Sequence, residues 1–153
     1  MNGIVGFFDG VAQNSLCGGG GTLRLDENKY FQFWIGFGEG TNTRGELLAL
    51  WALLHLALLK HVDDILIIGD SKVIIDWALN KSLLHHGAYE HWCQRIINLK
   101  YQLHLVNFQH VYREHNEEAD SCSKKGLTNK EGILFVQEIR AGVFLDIERY
   151  KLY

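Results

Sequence analysis

Ile65-Leu66-Ile67-Ile68 is the short stretch that most restricts what this chain can fold into. It is continuously apolar, without the polar alternation of a strand that keeps one face in water, and so it reads as a strand covered on both faces. Gly69-Asp70-Ser71 closes it, with Ser71 placed to cap a helix running to about Asn80. The residues upstream supply its partners. Positions 2 to 11 form an apolar run that closes at an Asp9-Gly10 turn. Gly18-Gly19-Gly20-Gly21 runs straight into Thr22-Leu23-Arg24-Leu25, which suits closely packed backbone at a strand start better than a flexible linker. Asp26-Glu27-Asn28 is a turn, and Lys29 to Phe37 is a strand rich in aromatics. Three strands in such quick succession make an antiparallel meander.

The period then changes. Thr43 with Glu46 three residues on has capping-box spacing, and apolar residues continue through Leu58 on every side, as in a buried helix ended by Asp63-Asp64. Beyond Asn80, Lys81 to Gly87 is a connector and Ala88 to about Leu103 an amphipathic helix. His104 to Arg113 alternates as a strand, and Asn116 to Lys125 is a short helix. Ile133 to Arg140 and Val143 to Tyr150, joined by Ala141-Gly142, read as a terminal β-hairpin, with a helix for the second run as the alternative. The order is that of one mixed α/β domain.

Composition narrows the class. The 153 residues are 47% hydrophobic and 22% charged, which suits one globular domain and not a disordered chain. No proline is present, which removes Pro-rich linkers. Cys17, Cys93 and Cys122 have no CxxC spacing and read as reduced thiols of an intracellular protein, packed as small hydrophobes. The apolar stretch Leu47–Leu59 is interrupted by His55 and is too short to span a bilayer, and the first ten residues do not form a signal peptide. The expectation is a soluble cytoplasmic or nuclear protein. The net charge of −3 argues against a generic basic nucleic-acid binder.

Four acids stand at strand ends or helix starts: Asp9, Glu46, Asp70 and Asp120. Each alone has an ordinary role in a turn, a cap or a solvated helix face. Together they carry more weight, because the carboxyl edge of an open α/β sheet is where ligands bind. Carboxylates gathered there repel one another unless a cation intervenes. Oxygen donors with no Cys/His cluster point to Mg²⁺ or Mn²⁺ rather than zinc.

The stretches FFDG (7–10), TNTRGELLAL (41–50), IIGDS (67–71) and NEEAD (116–120) occur in an order and spacing that resemble type 1 ribonuclease H, with coverage from about residue 2 to 127. The segment FQHVYREHNEEADSCSKK most resembles plant RNase H-like domains, including those of non-LTR retrotransposon reverse transcriptases. The resemblance implies a mixed five-stranded sheet, three antiparallel strands followed by parallel ones, flanked by helices in a catalytic domain over 1–127. Residues 128–153 then form an extension packed on the same domain, its hairpin covering a sheet edge or serving as an interaction surface.

The resemblance also implies a reaction: hydrolysis of the RNA strand of an RNA–DNA hybrid, leaving 5′-phosphate and 3′-hydroxyl ends. Asp9, Glu46, Asp70 and Asp120 match the catalytic carboxylates that hold two Mg²⁺, with Mn²⁺ as a substitute. Asp9 would be shared by both ions and Asp120 would serve the second. Thr41, Asn42, Thr43 and Arg44 match the loop that contacts the hybrid, where Asn or Thr can sense the 2′-hydroxyl, and Lys72 could reach a phosphate. For each of these a cap, a salt bridge or a solvated helix face is the alternative role.

Three departures from the family pattern are visible. His115 is the one histidine in the short loop before the last carboxylate, as an auxiliary residue or a surface one. The place of a basic protrusion, 80–87, offers only Lys81, His85 and His86. Ala12 and Gln13 stand where other members contact the minor groove. The partners implied are the hybrid and either a reverse transcriptase or another domain of a longer polyprotein, with the chain itself a monomer. A nucleic-acid-binding module without turnover, or another nuclease on the same fold, are the competing readings. Two bound divalent cations would bring the formal charge from −3 to +1, so an acidic balance is compatible with metal-dependent nucleic-acid binding.

Overall fold

The computed structural model describes residues 3–84 and 87–153. Strands β1 (Val5–Gln13), β2 (Leu16–Arg24) and β3 (Lys29–Glu39) form the expected antiparallel meander, followed by α1 (Asn42–Leu59), β4 (Asp64–Gly69) and α2 (Lys72–Ala78). Helix α3 (Glu90–Lys100), β5 (Leu105–His110), α4 (Glu117–Gly126) and the hairpin β6 (Ile133–Arg140) and β7 (Val143–Lys151) complete the chain. One seven-stranded sheet results, in the order β5-β4-β1-β2-β3-β6-β7. β4 pairs parallel with β1 and β5, and every other pairing is antiparallel.

The C-terminal hairpin adds two strands to the expected five-stranded sheet. It continues that sheet, with Phe33 opposite Val136 and Ile35 opposite Leu134. Those four side chains are fully buried, so β6 covers what would have been an apolar open edge along β3.

β1 runs past the anticipated Asp9-Gly10 turn to Gln13, and the reversal is made by Asn14 and Ser15, both at positive φ (54° and 67°). Gly10 serves close packing instead. A Cβ there would lie 2.1 Å from the backbone N of Glu46. The glycine run acts likewise, and it lies inside β2 rather than at the start of a strand. A Cβ on Gly19 would strike Ala49 of α1, while one on Gly20 would lie 2.6–2.7 Å from backbone atoms of Phe33, Cys122 and Ser123. Helices press on β2 from both sides, and side chains would hold them off.

α1 begins earlier than its sequence signal. Thr41 is the N-cap, its Oγ1 accepting from the Arg44 N–H, so Glu46 lies beyond the first turn and no Thr43–Glu46 capping box forms. The helix is apolar all round because it lies between the sheet and α3. Ser71 caps α2 as anticipated, accepting from Ile74 N–H at 3.4 Å. Cys17 and Cys122 are buried free thiols and Cys93 is half-buried. Trp51 and Trp92 are core residues, in edge contact at 5.0 Å, whereas Trp34 and Trp77 are half-buried. His85, His86 and their part of the 80–87 connector lie outside the described residues. Among the described residues no helix is long and apolar enough to cross a membrane.

The close packing over β2 has a measurable consequence. Gly20→Ala places a methyl group against three backbone atoms that cannot turn aside, and should cost about 1–3 kcal/mol in urea unfolding. Gly87→Ala meets nothing within 4 Å and should leave the midpoint unchanged. Equal midpoints for the two variants would contradict this packing.

Candidate active site

Asp9 projects from β1 and is 7% exposed. Gly10 and Gly45 let α1 lie against the strand, because a Cβ on Gly45 would itself meet Gly18 O and Val11 N at 3.0 and 3.1 Å. Glu46 is thereby carried to Asp9. Asp70 follows β4, whose residues Val5↔Leu66 to Phe8↔Gly69 run parallel beside β1. Carboxylate oxygens of Asp9, Glu46 and Asp70 all lie within 4.8 Å of one another. Asp120, in the first turn of α4, reaches Asp9 from the side as a hydrogen-bond partner and pairs with Lys124 at 3.0 Å. It is not within the three-carboxylate cluster.

This crowding is electrostatically unfavourable. Burial, the Asp70 charge and the hydrogen bond that the protonated carboxyl donates to Asp120 push Asp9 up to about 8. Burial raises Glu46 to about 7, with Asp70 adding to it, while a hydrogen bond from Ser71 and the Arg113 charge pull the other way. An all-oxygen cluster that holds protons so strongly is short of positive charge. Its donors suit hard divalent cations, with Asp9, Glu46 and Asp70 able to bind directly and Asp120 beside Asp9.

The other anticipated residues are spread around this centre. Thr41 Oγ1 lies 3.1 Å from Tyr89 Oη besides capping α1. Asn42 Oδ1 accepts from Ala12 N–H at 2.7 Å, which ties the helix start to the end of β1. Thr43 follows, half-buried, in the first turn. Arg44 donates to the Phe37 carbonyl at 3.2 Å, and its guanidinium lies 5.6 Å from the Trp92 ring centre. Lys72 pairs with Asp76 at 2.8 Å on its own helix. His115 is exposed and lines a depression with Phe7, Thr22, Arg24 and Glu118.

Three further residues shape the site. Asn116 is buried and donates to Phe8 O at 3.0 Å and to Asp70 Oδ2 at 3.4 Å, linking β1, β4 and the start of α4. His110, at the end of β5, donates from Nε2 to the Asp70 carbonyl at 3.2 Å. Arg113 supplies positive charge near Glu46. The parallel pairing of Gly69 with His110 sets the end of β5 beside Asp70, a placement that no local sequence pattern signals.

The Reverse transcriptase-like family model matches residues 7–126, which contain all four acids. The chain belongs to that family. Its fold is the ribonuclease H fold. RNase H1 from the halophilic archaeon Halobacterium salinarum superposes with a TM-score of 0.76 at 24% identity, covering 81% of this chain and 96% of that one. The N-terminal RNase H domain of a Mycobacterium tuberculosis protein gives 0.74 at 19%, covering 81% and 92%. LC11-RNase H1, solved in complex with an RNA/DNA hybrid, gives 0.73 at 22%, covering 81% and 96%. Among curated proteins none matches significantly. The family match ends at 126, so the hairpin lies beyond it.

The raised carboxyls set a pH dependence for the metal-free protein. Unfolding returns Asp9 and Glu46 towards 3.8 and 4.5, so the folded state holds more protons than the unfolded chain between about pH 4 and 8. Their contribution to stability is complete below pH 4 and is lost as pH rises through 7 and 8. In EDTA, the melting temperature of wild type should fall relative to Asp9→Asn between pH 5 and 8, and Mg²⁺ should remove most of that difference. A difference that stays flat with pH in EDTA would contradict the assignment.

Proposed function

We propose that this chain is a metal-dependent endonuclease that hydrolyses the RNA strand of RNA–DNA hybrids, leaving 5′-phosphate and 3′-hydroxyl ends. The convergence of Asp9, Glu46 and Asp70 within 4.8 Å carries this reading, on the fold of a family whose model spans all four acids. The solved complex of LC11-RNase H1 with an RNA/DNA hybrid supports the substrate class.

Asp9 would be shared between two Mg²⁺ ions, or Mn²⁺ in their place, with Glu46 and Asp70 completing the set and Asp120 serving the second ion. The ions, when bound, would supply Lewis-acid activation of the attacking water and charge stabilisation at the leaving 3′-oxygen. The protein's own part is to orient the donors. Asn116 holds Asp70 against the Phe8 carbonyl, and the Ser71 hydroxyl donates to Glu46. Arg113 brings positive charge to the Glu46 side, where the substrate's phosphate would lie. Thr41, Asn42 and Thr43 would face the hybrid at the start of α1, where Asn or Thr can sense a 2′-hydroxyl. Arg44 supports that loop from behind through Phe37, and Lys72 would contribute charge to a phosphate only by leaving Asp76.

Residues 1–127 would be the catalytic domain and 128–153 its packed extension. The chain would act as a monomer, on its own or within a polyprotein that carries a reverse transcriptase.

Asp9→Asn and Asp70→Asn should each lower cleavage of a labelled hybrid in Mg²⁺ or Mn²⁺ by at least about 100-fold, since each removes metal-borne charge stabilisation of several kcal/mol. Activity surviving in both variants would refute the assignment, and preference for all-DNA duplex would replace the substrate. Tight hybrid binding by wild type without product in either metal would make this a binding module.

A further inference from the structure

The hairpin beyond the family match sorts its charges between the two faces of the sheet. On the α1 side, Glu138, Asp146 and Glu148 surround a shallow depression with Arg140, and both Arg140 and Lys60 are engaged in ion pairs there. The opposite face is different. Register places Phe135 beside Trp34 and Arg149 beside Phe135, with Lys151 opposite Ile133 and Ile147 opposite Gln137. The Trp34 and Phe135 rings stack at 5.9 Å and 3°, and the ammonium of Lys125 lies 4.7 Å from the Trp34 ring centre. Both rings are half-buried, with part of each open to solvent, and Ile147 is 52% exposed. Among the described residues Lys125, Arg149 and Lys151 take part in no ion pair.

This face lies in line with the carboxylate site. One row of paired residues crosses the sheet from Asp9 through Gly20, Trp34 and Phe135 to Arg149. At about 4.8 Å per strand the row is about 19 Å long. α4 crosses it over Gly20, with Asp120 at the Asp9 end and Lys125 over Trp34.

We propose that this aromatic and basic face of β3, β6 and β7 is a second nucleic-acid contact, which binds an unpaired strand. A partly exposed aromatic and apolar surface flanked by cations without ion-pair partners fits both parts of such a strand: bases can pack against Phe135 and Ile147, and phosphates meet Lys125, Arg149 and Lys151. A duplex would present only its phosphates to the same surface, leaving the apolar strip without a complement. The sorting of charges favours an anionic partner on this face alone. Acids on the reverse side would repel it.

The test uses the whole protein in EDTA, so that binding is read without metal and independently of catalysis. The probe is a labelled single-stranded DNA of about 16 nucleotides, followed by fluorescence anisotropy over a salt series. Arg149→Glu with Lys151→Glu should weaken binding about tenfold and flatten the salt dependence by about 1.4, the slope for two fewer released ions. Phe135→Ala should weaken binding at least about fivefold. Arg140→Glu, a charge reversal on the other face, should leave affinity within about twofold. Melting temperatures check that the variants fold, and the double charge reversal decides the matter if Phe135→Ala does not. No binding by wild type, or equal loss in Arg140→Glu, overturns the proposal. Cleavage of a blunt hybrid in Mg²⁺ should be retained by the double variant, and parallel loss of cleavage would show that this face belongs to the hybrid site instead. A protein that cleaves nothing but still binds the probe would refute the catalytic reading while leaving this one standing.

Discussion

The contact of α1 with β1 through Gly10 and Gly45 is the constraint on which this site depends. A methyl group on Gly10 would overlap the backbone of Gly45 and Glu46 at 2.1 Å, so the helix can lie where it does only while that position has no side chain. Glu46 reaches Asp9 because the backbones are that close. Asn42 reinforces the approach by binding Ala12 N–H, and Thr41 sets where the helix starts. The same economy of side chains recurs on β2, where glycines let α1 and α4 press on opposite faces of one strand. α4 then delivers Asp120 to Asp9, so one packing solution brings in acids from separate parts of the chain.

Bringing those acids together works against folding, and the rest of the molecule offsets it. Asp9 is nearly buried among like charges, and both Asp9 and Glu46 hold protons far above their ordinary range. Such a cluster is a local loss of stability retained for what it can bind. The offset lies in the apolar helix α1 and in the strands it covers, whose Phe8, Leu23, Phe31, Phe33, Ile35 and Leu53 are fully buried. The hairpin adds Leu134 and Val136 to that core. Polar ties limit the strain at the site itself. Asn116 bonds to both Phe8 O and Asp70, so the carboxylate is held by a neutral group that adds no repulsion.

The fold was legible wherever a local pattern decided it. The unbroken run Ile65–Ile68 calls for burial on both faces, and in β4 Ile65 and Ile67 are buried on one face and Ile68 on the other, with Leu66 half-buried. The acids drew notice because the sequence pattern sets each near the end of an element; Asp9 in fact lies inside β1 and Glu46 beyond the first turn of α1, and it is packing that brings Asp9, Glu46 and Asp70 together. What escaped was whatever depends on two distant segments meeting. Asp9-Gly10 has the composition of a turn, yet Gly10 is there for a helix more than thirty residues away in sequence. Thr43 and Glu46 have capping-box spacing, but Thr41 takes the cap because the chain leaves β3 two residues earlier. His110 and Asn116 look like ordinary strand and loop residues until the pairing of β5 with β4 sets them around Asp70.

The hairpin shows how far a local pattern can be right about an element and silent about its purpose. Its alternation specifies two strands, but nothing within it names β3 as the partner. The buried pairs Phe33–Val136 and Ile35–Leu134 decide that, because β3 has an apolar edge to cover. Covering one edge creates another, and β7 is exposed along nearly its whole length. Asp146, Glu148, Arg149 and Lys151 lie along that edge, and the register shifts between Gln137 and Ile139, two devices that discourage a further strand from adding. Protection of an edge requires charge but does not require the acids Glu138, Asp146 and Glu148 to share one face while Arg149 and Lys151 take the other. That segregation, with the Trp34–Phe135 stack on the cationic side only, is the part that edge protection leaves unexplained and that an anionic partner would account for.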